Sequence, residues 1–422
     1  MRADEVFRLV EANADRLEHL LLDIIRIDTS VPPGNSYPQI VEYLQPLLEG
    51  AGMSCERVVV PEERWRKIPL PLDGERVNLV ATASTGKPPL SIYAHLDVVP
   101  AGTGWTVEPF GGVVKDGIVF GRGAIDMKGT IPPVVVAFEI INELGLELRF
   151  EPRVLLCTDE ELGIVPGALY LAEQGYFEAP ILHLEGGAQS PVMFAANAGF
   201  LGATVTSTGR EAHSGMSFMG INAFEEALPV IEELMELKHV VEKRQSAYLA
   251  LPLPDVPSPQ LTPTFNLNVV KAGDKLNVLP GLCEIQIDRR FIPEEDVDDV
   301  IQEIEAAVER GRQRSKASFE VEFQKGYLSH RIDTGSTHVA RWCEGVRKVL
   351  GYPDDLQFLF PGMCGATDMS LVGNLLKTDQ FIGTSVADPE HRNAHGADEC
   401  VPVANLVHLC QELIYFLVDL EA

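Results

Sequence analysis

Residues 91–97 read Ser91-Ile92-Tyr93-Ala94-His95-Leu96-Asp97, an apolar run that stops on two polar side chains. A short continuous apolar stretch of this kind predicts a buried strand. Side chains alternate across a strand, so His95 and Asp97 fall on the same face. Asp97 could therefore orient the His95 ring through the ring nitrogen that does not meet a ligand. Taken alone, a packed or capping histidine is the plainer account.

Outward from this strand, helical and strand-like patterns alternate. Helices are predicted over 38–49, 130–144 and 167–174, and strands over 54–60, 78–82, 90–94, 153–157 and 180–184. The alternation predicts an α/β domain with a mainly parallel sheet flanked by helices. Ligand groups should then gather at the carboxyl ends of the strands. After Asn197 the order changes to strand 200–207, helix 222–237, strands 264–270 and 282–291, helix 294–312 and strand 318–323. This βαββαβ succession is a self-contained two-layer module. Alternating elements return at 337–350, 357–361, 380–382 and 403–418. Residues 1–196 and 326–422 are thus expected to form the larger domain, with 197–325 inserted into it. Pro252, Pro254, Pro257, Pro259 and Pro263 read as a stiff surface loop.

The 422 residues exceed what one hydrophobic core usually organises, which agrees with two domains. A composition of 45% hydrophobic and 23% charged residues is that of a globular protein. The formal charge of -28 argues against binding to nucleic acid or an anionic membrane, because both need clustered Lys and Arg. No apolar run approaches the ~20 residues of a membrane-spanning helix. The first 26 residues mix charges with Leu, Ile and Val at helical spacing and lack a signal-peptide layout, so a cytoplasmic location is expected. Seven cysteines form no Cys-x-x-Cys pair, which argues against a disulfide framework and a zinc ribbon.

Four further stretches end strands or follow glycine turns with acids or histidine. Phe120-Gly-Arg-Gly-Ala-Ile-Asp126 begins like a nucleotide loop, but an aspartate occupies the third glycine position, so a dinucleotide fingerprint does not hold. A carboxylate after such a turn suits a metal-bridging ligand. Leu155-Leu-Cys-Thr-Asp-Glu160-Glu161 sets acids at the end of another buried strand. Adjacent glutamates can begin a helix, where negative charge is favourable. They can also divide labour, one binding a cation and one moving a proton. Leu182-His-Leu-Glu185-Gly-Gly and Asn393-Ala-His395-Gly-Ala-Asp-Glu399 complete the set. Neither a Gly-x-Ser-x-Gly elbow nor a phosphate-binding Gly-x-x-x-x-Gly-Lys-Ser/Thr loop occurs.

Taken in order, these five points resemble the family of acetylornithine deacetylase, succinyl-diaminopimelate desuccinylase, aminoacylase and glutamate carboxypeptidase. The likeness spans nearly the whole chain and includes Gly104-Trp-Thr-Val-Glu-Pro-Phe110, Ala212-His213-Ser, Asn277-Val-Leu-Pro280, Asp288-Arg-Arg290 and Gly365-Ala-Thr-Asp368. The resemblance implies two divalent cations, with zinc favoured and manganese or cobalt compatible. His95 and Glu185 would bind the first, Glu161 and His395 the second, and Asp126 both. Glu160 would be the general base and Asp97 would orient His95. His213 would stabilise the oxyanion across a homodimer interface made by the inserted module. Asn277, Arg290, Gly365 and Thr367 would contact a small carboxylate-bearing substrate. A cis bond between Asp126 and Met127 is also implied.

The implied reaction is hydrolysis of an amide-like C–N bond, of the N-acyl amino acid deacylase or small-peptide carboxypeptidase type. Two departures leave the substrate open. Ala195-Ala-Asn197-Ala-Gly199 replaces the lysine that often precedes the lid in relatives, and Gly186-Gly187 replaces the Pro-Thr that often follows the carboxylate matched by Glu185. An aminohydrolase acting on a non-peptide C–N bond of a small, even aromatic, carboxylate is the alternative within catalysis. A non-catalytic metal-binding scaffold is the alternative outside it, and Glu160 argues against that.

Overall fold

A computed structural model describes residues 1–163, 167–252, 256, 258–387 and 393–421. The chain divides into two compact units, one of Met1–Phe194, Ile332–Phe360 and Leu371–Ala422, the other of Ala195–Arg331 and Pro361–Ser370.

The first unit is built on a six-stranded sheet. Its spatial order is Ser54–Val59, Val77–Thr82, Glu151–Cys157, Pro89–His95, Ile181–His183 and Phe381–Gly383. The first two pairings are antiparallel and the other three parallel. Pro89–His95 therefore has parallel neighbours on both sides, and all but its first residue are buried. A strand covered on both faces reads as a continuous apolar run rather than an alternation, which is the pattern of 90–94. Tyr37–Gly50 packs on Ser54–Val59 and Val77–Thr82. Val403–Leu417 is buried along most of its length and packs on Ala14–Ile25, Ile131–Glu143 and Thr337–Leu350. Among the described residues no helix is long and apolar enough to cross a membrane.

Two details depart from the sequence reading. The strand expected over 357–361 is a single bridge, Leu359 to Val192. Pro191 lies beside that bridge and Pro361 two residues on, and proline has no N–H to extend a ladder. A small antiparallel sheet of Val113–Lys115, Ile118–Phe120 and Cys400–Pro402 was not expected.

The second unit holds the βαββαβ module. Its strands lie in the order Thr264–Ala272, Leu282–Phe291, Gly199–Thr208 and Ser318–Lys325, all antiparallel. Burial alternates residue by residue along Gly199–Thr208 and Leu282–Phe291. That leaves one face to pack and one polar. Leu201, Val205, Phe265, Ile285 and Ile287 on the packed face join Val230, Leu234, Val300 and Ile304 from helices Ala223–Val241 and Val297–Arg312. Each such side chain contributes roughly 1.5–3 kcal/mol by leaving water. Both helices start on side-chain caps, Asn222 accepting from Phe224 and Glu225 and Asp296 from Asp298. Pro361–Ser370 belongs to this unit, where Gly362–Met363 pairs in parallel with Ala196–Asn197. In the proline stretch Pro252 and Pro259 are exposed while Pro263 is buried, which corrects the surface-loop expectation there; Pro254 and Pro257 lie outside the described residues.

Candidate metal centre

The parallel strands of the first unit deliver acids and imidazoles to their carboxyl ends. His95 closes its strand and is fully buried. Its Nδ1 lies 3.0 Å from the backbone carbonyl of Asp97, and 3.7 Å from that residue's Oδ1. A carbonyl only accepts, so Nδ1 carries a proton and Nε2 is the nitrogen free to face a ligand. The carbonyl of Asp97, more than its carboxylate, thus fixes the ring. The Asp97 carboxylate instead accepts from the Glu161 amide at 2.9 Å, tying two strand ends together.

His95 Nε2 lies 3.2 Å from Asp126 Oδ1, and His395 Nε2 lies 3.2 Å from Asp126 Oδ2. His395 is also 3.0 Å from Glu161 Oε2. Two groups of potential ligands result, His95, Asp126 and Glu185, and Asp126, Glu161 and His395, each with ligand atoms within 4.8 Å of one another. Asp126 belongs to both, one oxygen toward each histidine. The bond from Asp126 to Met127 is cis, as the resemblance implies.

Charge shows whether cations suit this cluster. Three carboxylates face two imidazoles. Burial and the charge of Asp126 push Glu185 up to about 8, and burial pushes Glu161 up to about 7 against the hydrogen bond from His395. Burial opposes ionisation of Asp126, yet hydrogen bonds from His395 and His95 hold it below the usual carboxylate range. The same bonds to Asp126 and Glu161 raise His395 to about 10. Protons thus stand in for missing positive charge. Among the described residues Glu185 Oε2 and Asp97 Oδ1 are buried without a hydrogen-bond partner, although His183 Nε2 lies 3.6 Å from Glu185 Oε2. Histidine nitrogen and carboxylate oxygen, with no sulfur, suit zinc, manganese or cobalt, so the residues present fit a pair of divalent cations.

Glu160 opens the short turn Glu160–Leu162 and is buried. The turn is entered through Asp159, whose φ of 66° lies in the left-handed region. That conformation is uncommon for a residue with a side chain, and neighbours hold it. Tyr37 donates to Asp159 Oδ1 at 2.9 Å, and Arg76 Nε lies 3.5 Å from Oδ2. Arg76 itself is stacked over the Trp65 ring at 4.3 Å. Burial and the Asp97 charge push Asp159 up to about 7.

The remaining expected residues lie in the second unit. His213 is exposed and caps the turn Ser214–Met219, its Nδ1 accepting from the Gly215 amide at 3.1 Å. Ser214 donates to the Asn277 carbonyl at 3.0 Å, so Asn277 sits beside it. Arg290 forks onto Asp288 at 3.0 and 3.2 Å and stacks 4.6 Å over the Phe200 ring. Gly365 accepts from Asn197 at 3.2 Å, and Thr367 is buried with its hydroxyl accepting from Met369.

Residues 195–314 match the family model described as the peptidase dimerisation domain of the M20 type. That stretch is thus similar to an M20 dimerisation domain. Over 226 residues the chain is 33% identical to a probable succinyl-diaminopimelate desuccinylase of Staphylococcus epidermidis, which covers 53% of this chain and 52% of that protein. It is 29% identical over 285 residues to an acetylornithine deacetylase of Proteus mirabilis, covering 66% and 68% respectively. The chain thus spans about half the length of the curated relative it matches first. Its fold is similar to that of the M20 metallo-carboxypeptidase Sso-CP2 from Sulfolobus solfataricus, with a TM-score of 0.76, 17% identity, and coverage of 94% and 97%. The fold is therefore that of the M20 metallopeptidases. Sequence reasoning named the residues that face one another in this cluster. It missed Asp159 and Arg76 at the turn before Glu160, although Asp159 stood unassigned inside a quoted stretch.

Proposed function

We propose that the chain is a metal-dependent hydrolase that cleaves an amide-like C–N bond in a small carboxylate-bearing substrate, of the deacylase or small-peptide carboxypeptidase type. The observation that carries this reading is the carboxylate of Asp126 shared between two ligand groups, with the glutamate pair Glu160 and Glu161 at the adjoining strand end.

In this reading His95 and Glu185 hold one cation, Glu161 and His395 the other, and Asp126 both, with zinc favoured over manganese or cobalt. Such a pair, when bound, supplies the Lewis acidity that acidifies water and polarises a carbonyl. Glu160 takes the water's proton and returns it to the leaving nitrogen. Asp97 keeps His95 and the Glu161 amide in register. Residues 1–196 and 326–422 carry this chemistry, and 197–325 form the lid and dimerisation surface of a homodimer. His213, whose Nδ1 accepts from Gly215, keeps its proton on Nε2 and can donate it to a developing oxyanion. Arg290 and Asn277, with Gly365 and Thr367, hold the substrate carboxylate, for which the planar Arg fork is suited. The seven free cysteines support a reducing, cytoplasmic setting.

The test is a panel of N-acyl amino acids, dipeptides and amino-aromatic carboxylates, assayed after metal stripping and readdition of single cations. Release of an amino acid only with metal supports the proposal. Release of ammonia from the aromatic carboxylates alone favours the aminohydrolase reading, and no turnover with any cation leaves a scaffold.

A further inference from the structure

The short sheet of the first unit sets Cys400–Pro402 antiparallel to Ile118–Phe120, with Cys400 opposite Phe120. The ladder runs one step further, since the Gly121 amide donates to the Glu399 carbonyl at 2.9 Å. Glu399 is thereby laid against the turn that carries Asp126. Its side chain is completely buried, and both carboxylate oxygens are used twice. Oε1 accepts from the amides of Ile125 at 2.9 Å and Asp126 at 3.0 Å. Oε2 accepts from the Gly123 amide at 3.0 Å and from Arg122 Nη1.

Three of these four donors are backbone amides of residues 123–126. A carboxylate needed only to neutralise a buried arginine would not recruit them. Two of the amides flank the Cα of Ile125, and the second is that of Asp126 itself, so the carboxylate pins the backbone from which the shared ligand projects. Gly123 makes that turn with a φ of +87°, where an added Cβ would lie 2.7 Å from Val98 Cγ1.

Arg122 extends the hold to the other side. Its Nη2 donates to the His395 carbonyl at 3.2 Å and to Ala101 at 3.3 Å, and its guanidinium lies 5.2 Å over the Trp105 ring. His395 has a left-handed φ of 63°, a conformation uncommon for a residue with a side chain. Asp398 anchors the same loop, accepting from the Thr106 amide at 2.8 Å and hydroxyl at 3.0 Å.

We propose that Glu399, acting with Arg122, is a positioning residue that locks the Asp126 turn and the His395 loop into one frame, so that a single buried carboxylate sets the geometry of both halves of the metal centre. This rests on the reading of His95, Asp126, Glu161, Glu185 and His395 as ligands of two cations. Hydrogen-bond partners of ligands change metal affinity by 10–100-fold when removed, and here one group serves both positions.

The test measures Zn²⁺ affinity of the metal-stripped full-length protein by competition with a chromophoric chelator, with circular dichroism of the same samples as the fold control. Glu399→Gln presents an NH2 where the Gly123 amide and Arg122 also donate, and both zinc affinities are expected to fall by ~10–100-fold. Arg122→Lys keeps the charge beside Glu399 but cannot also reach the His395 carbonyl. It is expected to weaken mainly the position that includes Glu161 and His395. A folded Glu399→Gln protein that binds two zinc ions as tightly as wild type overturns the proposal. So does an unfolded Glu399→Gln protein beside a folded Arg122→Lys protein with wild-type affinities, or failure of both to fold, since the pair would then serve folding alone. Wild-type protein that binds fewer than two zinc ions refutes instead the ligand reading beneath it.

Discussion

Asp126 Oδ2 and His395 Nε2 lie 3.2 Å apart, although one belongs to a turn after the small hairpin and the other to a loop before the last helix. The contact joins two segments remote in sequence, and the other oxygen of the same carboxylate meets His95. A side chain placed this way serves two ligand groups at once.

Replacing that carboxylate should therefore cost more than one ion. Asp126→Ala is expected to lose both cations as well as activity, whereas His395→Ala should keep the position held by His95 and Glu185. Elemental analysis of the two purified variants checks this. Full metal content in Asp126→Ala would end the bridging assignment.

A second expectation concerns stability away from the metal centre. Glu412 is fully buried on Val403–Leu417, and burial pushes its carboxyl up to about 8 against the hydrogen bond from Gln189 at 3.3 Å. Its ordinary value is 4.5. Between those values the native state binds the proton that the unfolded chain releases, so stability falls as pH rises through this window. The slope is at most about 1.4 kcal/mol per pH unit. Glu412→Gln removes the titration. Relative to wild type the variant should gain in thermal midpoint from pH 5 to pH 8, and a difference that does not change with pH would contradict the assignment.

Assembly gives a third. If His213 acts across a dimer of the M20 type, an inactive His213→Ala protein mixed with an inactive Glu160→Gln protein should regain up to about a quarter of wild-type activity per chain pair at statistical exchange, by symmetry of a two-fold dimer. Confirmed subunit exchange with no activity returning would remove His213 from the shared site.

The strand-end members of the cluster were legible as candidates because strands in a parallel sheet announce themselves as apolar runs, and the polar residues that end them stand out, while their roles as ligands came from the resemblance. His95, Glu160, Glu161 and Glu185 all follow such runs. The βαββαβ order was legible for the same reason, its strands alternating in burial and its helices capped by Asn222 and Asp296. Glu399 was not. Its role depends on a three-residue ladder that brings it beside Arg122, 277 positions away in sequence, and such short pairings leave no periodic trace. Asp159 was hidden likewise, since nothing local in Thr158-Asp159-Glu160 reveals that Tyr37 and Arg76 arrive to hold it. The run at 357–361 misled in the other direction, because apolar content predicts a strand whether or not neighbouring prolines leave amides to pair.

The central claim is that the two ligand groups hold the cations without Glu160, while Glu160 moves the proton. Zinc content and steady-state kinetics of Glu160→Gln, measured on the same preparation against the best substrate of the panel, test it most directly. The prediction is wild-type zinc content with kcat lower by at least ~10²-fold, the scale of losing a general base. Wild-type kcat in a protein that carries its full zinc would contradict the account.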